Sequence, residues 1–329
     1  MGNLDSKQLL EYTKPIQSDL DEFNRRLYDY LRGDSPLIAS IAQHLIRSKG
    51  KRIRPVFLFL SSRAADNFTI HTVDSSLALE FIHTATLLHD DVVDESNIRR
   101  GQKTVNSQWT NLISVLMGDY LFAKAFRIMV DVESNDLMKV ISRATERVSI
   151  GELRQIEETG NYELSEEEYM TIIADKTASL FSTSCEIGPI LSNRGKRERH
   201  RFAKFGEKIG IAFQIVDDLL DFVGDASVTG KEPGNDVLTG KVTLPLIYSL
   251  RKVGKASRKE IVSFMHQNGS PESIDKIYHF IQENGGIEYS YRKANRITES
   301  GLEAISSIPD SEYLKCLVNM VQFTTARAS

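Results

Sequence analysis

The chain contains few residues that could cross-link it or interrupt its helices. Only two cysteines, Cys185 and Cys316, occur among 329 residues, which argues against a disulfide framework and fits a reducing compartment. No apolar run approaches the roughly 20 residues that a membrane-spanning helix needs. The first residues lack the apolar core of a signal peptide. The net charge of −4 gives no general attraction to nucleic acid or anionic lipid. These absences predict a cytoplasmic globular protein.

Long segments of the chain have a helical pattern. Eight prolines leave them uninterrupted, and apolar residues recur every three or four positions, as at Leu77, Phe81 and Leu88. No stretch alternates as a strand would. Turn residues fall at 33–36, 99–101, 160–161 and 224–240. The pattern therefore predicts one all-α domain over residues 1–329, with long helices at 75–95, 111–132, 136–157 and 202–223.

Two acidic clusters of the form Asp-Asp-x-x-Asp lie 127 residues apart in otherwise apolar sequence. The first comprises Asp90, Asp91 and Asp94, and the second comprises Asp217, Asp218 and Asp221. Six carboxylates in such surroundings repel one another and are costly to bury unless cations offset them.

The spacing within each cluster suits divalent metal ions. On a helix, Asp90 and Asp94 are one turn apart and project from the same face. Mg²⁺ takes one or two carboxylates, with water and substrate phosphate completing its octahedron. A solvated helix end is the less favoured alternative. A calcium loop is excluded because neither cluster has an acid at every second position and a glycine at the sixth.

Basic residues complement the acids. Lys51, Arg52 and Arg54 open a predicted helix, where Pro55 suits the first turn and free N–H groups favour an anion. Other cations follow the first cluster at the predicted end of its helix or lie near the later elements: Arg99, Arg100, Lys176, Lys231 and Lys241. Phosphates need convergent Arg and Lys, so the combination predicts at least two polyanionic ligands.

His83 precedes Asp90 by two helical turns and shares its face. A lone histidine is usually a core residue, and its alignment with the acidic face makes a role in the site an equally open alternative.

With these residues in place, the chain resembles the trans-polyprenyl diphosphate synthases over roughly residues 15–325, most closely bacterial octaprenyl-type medium- and long-chain enzymes. The resemblance is carried by the segments Gly50–Pro55, His83–Asp94, Arg99–Gly101, Gly118–Leu121, Phe213–Asp221 and Gly240–Pro245. It implies an all-α bundle of roughly ten or more helices around a central cavity. It also implies a Mg²⁺-dependent prenyltransferase that condenses isopentenyl diphosphate in trans with an allylic diphosphate such as farnesyl diphosphate, giving a medium- or long-chain all-trans product.

The resemblance also implies roles for individual residues. About three Mg²⁺ ions would be held by Asp90, Asp94 and Asp217; the catalytic set adds Lys176, and supporting roles fall to Asp91, Asp218 and Asp221. The allylic diphosphate would be bound by Arg99, Lys176, Thr177, Gln214, Lys231 and Lys241. The diphosphate of isopentenyl diphosphate would be bound by Lys51, Arg54, His83 and Arg100. A homodimer is implied, with the apolar helix 111–132 as a plausible interface.

Product length is expected to depend on Ala85 and Thr86, just before the first cluster. Short-chain members of the family carry bulky aromatics at one or both positions, so small side chains imply an open tunnel and a long product. The resemblance implies that this product serves as a quinone side chain. Leu79, Ile82 and Ile141 are candidates for deeper wall positions, although core packing is the favoured interpretation.

Two other functions stay open. A terpene cyclase shares an aspartate-rich motif, but it does not need Lys51, Arg54 and Arg100 for a second diphosphate. A noncatalytic or regulatory subunit of a heteromeric synthase usually lacks acids from one cluster, whereas this chain keeps all six.

Overall fold

Helices make up nearly all of the part of the chain that the computed structural model describes, namely residues 2–32, 35–47, 50–66, 68–99, 101–223, 235–265 and 271–325. Within these ranges the strands form one antiparallel pair of two residues each. The predicted all-α fold is therefore confirmed.

The first half of the described chain builds eight helices and the strand pair. In order they are α1 (Gly2–Thr13), a 3₁₀ turn (Lys14–Ile16), α2 (Gln17–Leu31), α3 (Pro36–Arg47), α4 (Ile53–Ala64), α5 (Ile70–Val93), β1 (Ile98–Arg99), β2 (Gln102–Lys103), α6 (Val105–Gln108), α7 (Asn111–Asp131) and α8 (Asn135–Glu157).

The second half of the described chain continues with helices alone. They are α9 (Glu166–Ile173), a π-helical turn (Ala174–Ala178), α10 (Ser179–Leu191), α11 (Lys196–Val223), α12 (Asn235–Leu238), α13 (Leu244–Lys252), α14 (Lys255–Met265), α15 (Pro271–Glu283), α16 (Gly286–Ile305) and α17 (Glu312–Thr325).

The four predicted long helices are present as α5, α7, α8 and α11, and the last begins six residues earlier than expected. Its first turns are polar and charged, so they carry no apolar period. One prediction is wrong: Arg99 lies on β1 and not at the end of α5. The helix stops at Val93, and Glu95 then takes a left-handed conformation (φ +49°) that turns the chain into the hairpin.

The core consists of two groups of buried apolar side chains that meet along α11. The larger group includes Phe57 of α4, Phe81 of α5 and Phe205 of α11. The smaller one includes Ile215 of α11 and Leu244 of α13. The C-terminal helices pack around this core, α16 along α11 and α17 against α4.

Glycines let two helices approach the π-helical turn closely. A Cβ on Gly210 of α11 would lie 2.6 Å from Cα of Ala178, and one on Gly151 of α8 would lie 2.4 Å from the backbone nitrogen of Lys176. Real side chains do not tolerate such separations, so these two positions require glycine. The turn is thus enclosed between α8 and α11 while it joins α9 to α10.

Candidate active site

The first acidic cluster occupies the last turn of α5. A capping box between Thr69 and Thr72 starts this helix, and Asp94 ends it by donating its N–H to the carbonyl of Asp90 at 2.7 Å. Asp90 is half-buried, whereas Asp94 is exposed. Their carboxylates are close enough to interact electrostatically, which agrees with the shared face predicted from their spacing.

Asp91 has a different environment. It is buried, and its carboxylate accepts a hydrogen bond from Nε of Arg99 at 2.8 Å. Its carbonyl accepts from the backbone N–H of Ser96 at 2.9 Å and from the side chain of Asn106 at 3.1 Å. Asp91 therefore ties the hairpin to α5 and brings Arg99 beside Asp90.

Lys176 faces the first cluster from the π-helical turn. Its ammonium donates to Oε2 of Glu152 at 2.7 Å and interacts with Asp90 and Asp94. Glu152 was not predicted. Nothing in the sequence marks it, because its position beside Lys176 depends on the close packing of α8 against the turn at Gly151.

Burial disfavours the charged forms of Asp90 and Lys176. Burial, followed by the nearby carboxylate of Glu152, raises the pKa of Asp90 to about 7, although Lys176 and Arg99 act in the opposite direction. Burial opposes the charge of Lys176, but Glu152 and Asp90 outweigh it and raise the pKa of the ammonium. The space beside Asp90 consequently favours an additional cation.

The second cluster lies near the C-terminal end of α11, and its acids are unequal. Asp217 is exposed, whereas Asp218 is buried and accepts hydrogen bonds from the hydroxyl of Tyr169 at 2.6 Å and the amide of Gln214 at 2.7 Å. Burial raises the pKa of Asp218 to about 6, and these two hydrogen bonds limit the rise. Asp221 accepts from the backbone N–H of Asp236 at 3.0 Å and so fixes the start of α12.

Tyr169 also escaped prediction. A tyrosine at helical spacing on α9 has the sequence signature of ordinary core packing, and it is indeed buried in the smaller core group. Only the packing of α9 against α11 brings its hydroxyl to Asp218.

Two connections join the clusters. Thr177, the neighbour of Lys176, donates its hydroxyl to Oε1 of Gln214 at 2.6 Å, so the π-helical turn contacts the first cluster through one residue and the second through the next. Lys241, which precedes α13, places its ammonium 3.4 Å from Oδ2 of Asp94. The two acidic clusters therefore form one site.

A second basic group lies at the start of α4. Nη1 of Arg54 lies 2.9 Å from Nε2 of His83, and its guanidinium lies over the ring of Phe181 at 5.1 Å. The ammonium of Lys51 lies over the ring of Phe323 at 5.1 Å. His83 is therefore half-buried beside a predicted diphosphate ligand and is not enclosed in the apolar core.

The remaining predicted residues have clear locations or lie outside the described chain. Arg52 forms an ion pair with buried Glu80. Ala85 is fully buried, and half-buried Thr86 donates to the carbonyl of His83 at 2.8 Å. The candidates for deeper wall positions are all buried in the larger core group: Leu79, Ile82 and Ile141. Arg100 and Lys231 lie outside the described residues.

The donor set fits a hard divalent cation that shares its coordination with a ligand. Among the described residues, no three Asp, Glu, His or Cys side chains converge to hold an ion by themselves. The site offers one or two carboxylates from each side, interleaved with lysines, as expected where substrate phosphates and water complete the coordination of Mg²⁺.

No helix in the described ranges has the length and apolarity of a membrane span.

An all-α bundle with two aspartate clusters around a basic turn defines the class of isoprenoid synthases. A family model described as polyprenyl synthetase matches residues 35–281. Octaprenyl diphosphate synthase of Haemophilus influenzae is 32% identical over 327 residues, covering 99% of each chain.

Solved structures agree with this class. A decaprenyl diphosphate synthase from Rhodobacter capsulatus is 31% identical with a TM-score of 0.92, covering 98% of this chain and 99% of that one. A polyprenyl synthase from Caulobacter crescentus, complexed with calcium and isoprenyl diphosphate, has the same identity and TM-score and covers 98% of both chains. The chain belongs to the polyprenyl synthetase family and is a trans-prenyltransferase, which confirms the predicted family and enzyme class.

The environment of Asp90 predicts that replacing it with asparagine stabilises the metal-free protein. A carboxyl with a raised pKa binds its proton more tightly in the folded state, so the free energy of unfolding falls as the pH rises from about 4 to about 7. Asp90→Asn removes this loss. We expect its Tm in chelator to exceed that of the wild type at about pH 8, with the gap narrowing towards pH 5.

Thermal unfolding followed by circular dichroism at both pH values measures this effect. Asp310→Asn, at an exposed carboxylate before α17, serves as the control and should leave the pH profile unchanged. An Asp90→Asn protein that is less stable than the wild type at the higher pH would contradict the argument.

Proposed function

We propose that the protein condenses isopentenyl diphosphate in trans with an allylic diphosphate, with Mg²⁺, to give a medium- or long-chain all-trans polyprenyl diphosphate. The observation that carries this proposal is the pair of acidic clusters joined through Lys176 and Thr177, beside a separate basic group at Arg54 and His83. The first arrangement suits a metal-bound diphosphate and the second suits another diphosphate.

In this proposal Asp90, Asp94 and Asp217 would hold the ions. The Caulobacter relative, which is complexed with calcium and isoprenyl diphosphate, supports the use of a divalent metal. Mg²⁺ held by these carboxylates would supply positive charge to offset the charge that develops on the departing pyrophosphate. Lys176 and Lys241 extend ammonium groups towards the same space, and both already contact acids of the site. They can therefore bind the allylic diphosphate without a large rearrangement of their side chains.

The reaction breaks the allylic C–O bond, and the electron pair leaves with the pyrophosphate. The double bond of isopentenyl diphosphate attacks the resulting allylic cation to form the new C–C bond. Loss of one proton to the released pyrophosphate, the base assigned by the family resemblance, completes the five-carbon extension. The task of the protein is to stabilise the leaving group with cations and to hold the two substrates in line.

The group at the start of α4 is the proposed site of isopentenyl diphosphate. Phe181 and Phe323 lie beneath Arg54 and Lys51, so these cations are held against aromatic faces with their positions restricted. His83 adds a ring nitrogen beside Arg54. Contributions of Arg100 here and of Lys231 to the allylic diphosphate stay predictions from the sequence.

Exposed apolar side chains support a homodimer. Along α7, Leu112, Leu116, Phe126 and Val130 share one face and are 45–68% exposed. Leu153 of α8 is 63% exposed. A stripe of this kind on a helix is typical of a surface that another subunit covers.

The second substrate group favours a synthase over a terpene cyclase, and the six retained acids favour it over a noncatalytic subunit. The use of the product as a quinone side chain and the cytoplasmic location stay predictions from the sequence.

Activity is tested by incubating the protein with farnesyl diphosphate, labelled isopentenyl diphosphate and Mg²⁺, followed by mass analysis of the products. We expect a ladder of five-carbon extensions, and Asp90→Ala should lower turnover by several orders of magnitude because it removes a metal ligand. Asp310→Ala is the matched control. Near-normal condensation by folded Asp90→Ala protein would disprove the metal assignment, and a cyclic hydrocarbon would indicate a cyclase.

Product length is tested by Ala85→Phe. Because Ala85 is buried five residues before Asp90, a phenylalanine there should block the growing chain and shorten the product. Ala294→Phe overpacks the other core group and controls for general strain. An unchanged product ladder from the Ala85→Phe protein would show that another element determines the length.

Assembly is tested by Leu116→Arg. A charge in the middle of the α7 stripe should shift the protein to monomers, because an unpaired charge is costly to bury in an interface. Sedimentation velocity measures the mass. Leu10→Arg, at an apolar residue of α1 with 63% exposure, is the control and should stay dimeric. A Leu116→Arg dimer with wild-type affinity would exclude this face.

A further inference from the structure

The π-helical turn directs three consecutive side chains to separate partners on two helices, α8 and α11. Lys176 contacts Glu152 of α8 beside the first acidic cluster, and Thr177 contacts Gln214 of α11. Asp175 contacts neither cluster. It accepts one hydrogen bond from Nε of Arg147 and another from Nη1 of Arg154, both at 2.8 Å.

Arg147 connects the turn to its surroundings at several points. Its guanidinium also donates to the carbonyl of Ala174 at 3.2 Å and to Oε1 of Glu207 on α11 at 3.0 Å. One half-buried side chain of α8 therefore holds the first residue of the turn, the carboxylate of the second, and the neighbouring helix α11.

The residues of α8 that contact the turn lie on one face of that helix. Arg147, Gly151 and Arg154 follow one another at spacings of four and three residues, so they share one helix face. Gly151 lets the backbone of Lys176 approach between the two arginines. The turn is thus held through its backbone and through Asp175 while Lys176 and Thr177 stay directed to the clusters.

A half-buried ion pair adds little net stability once desolvation is counted, but it can select one arrangement over others. A π-helical turn inserts an extra residue into a helix and changes the direction of the following side chains, and such turns occur frequently at functional sites. Rotation of this turn would move Lys176 and Thr177 away from the proposed diphosphate.

We propose that Asp175 and Arg147 are positioning residues for the allylic half of the reaction: their ion pair, with Arg154, fixes the π-helical turn so that Lys176 and Thr177 meet the allylic diphosphate. The inference rests on the proposed function and assigns roles to residues that do not touch substrate. It predicts different effects on the two substrates, because Arg54 and His83 of the other group lie on α4 and α5, outside the π-helical turn.

The test is Asp175→Asn, which keeps the shape of the side chain and removes its charge. The kcat/KM for farnesyl diphosphate should fall roughly 10- to 100-fold, the size expected for a displacement of about 1 Å. The KM for isopentenyl diphosphate should stay within about twofold of the wild type, since its group is untouched. Calorimetry with inorganic pyrophosphate and Mg²⁺ should show weaker binding.

Asp19→Asn is the matched control. Asp19 of α2 is buried and pairs with Arg63 at 2.7 Å, and that arginine is about as exposed as Arg147. Arg63 lies nine residues, roughly 14 Å, along α4 from Arg54. The control should lower the Tm without separating the kinetic constants of the two substrates.

Arg154→Gln provides a second variant if Asp175→Asn does not fold. It removes the more exposed arginine, leaves Arg147 in place, and should give the same selective effect at smaller size. Equal losses for both substrates, or unchanged kinetics in folded variants, would overturn the positioning role alone. Wild-type protein that neither condenses the substrates nor binds pyrophosphate with Mg²⁺ would overturn the proposed function as well.

Discussion

Repulsion among carboxylates in one partly enclosed space is the constraint on which the rest of the structure depends. The charges of Glu152 and Asp94 raise the free energy of the charged form of Asp90. The protein offsets this repulsion with Lys176, Arg99 and Lys241, each carried by a different element. The close approach of α8 to the π-helical turn at Gly151 is needed to bring the first of these cations into place. The charge balance of the site therefore depends on how the helices pack.

The π-helical turn directs two adjacent side chains to different sides of the site. Lys176 and Thr177 are adjacent in sequence, yet one contacts the side that carries Asp90 and the other contacts the chain of hydrogen bonds that ends at Asp218. A side chain on a regular helix shares its face with residues three or four positions away. Lys176 and Thr177 can contact opposite sides of the site because the turn is enclosed between α8, which carries Glu152, and α11, which carries Gln214 and Asp218.

The sequence was sufficient for what depends on local pattern. Apolar periodicity located the long helices, and the spacing of Asp90 and Asp94 predicted their shared face. It could not locate Glu152, Tyr169 or Asp175, because each acquires its partner only through packing between helices distant in sequence. Arg99 was placed wrongly since a strand of two residues is too short to show alternation, and the left-handed turn before it has no glycine to mark it.

The two proposed diphosphate sites lie at opposite ends of helices. Both acidic clusters occupy the last turns of their helices, α5 and α11, where the macrodipole adds partial negative charge to the carboxylates. An anion alone is disfavoured there, so a diphosphate can bind favourably only together with cations. Lys51 and Arg54 instead lie at the start of α4, where the dipole and free N–H groups favour an anion directly. In the proposed reaction, ionisation of the allylic substrate would therefore depend on metal. The diphosphate of isopentenyl diphosphate would instead be bound by the protein itself, so the nucleophilic substrate would stay intact while the other one ionises.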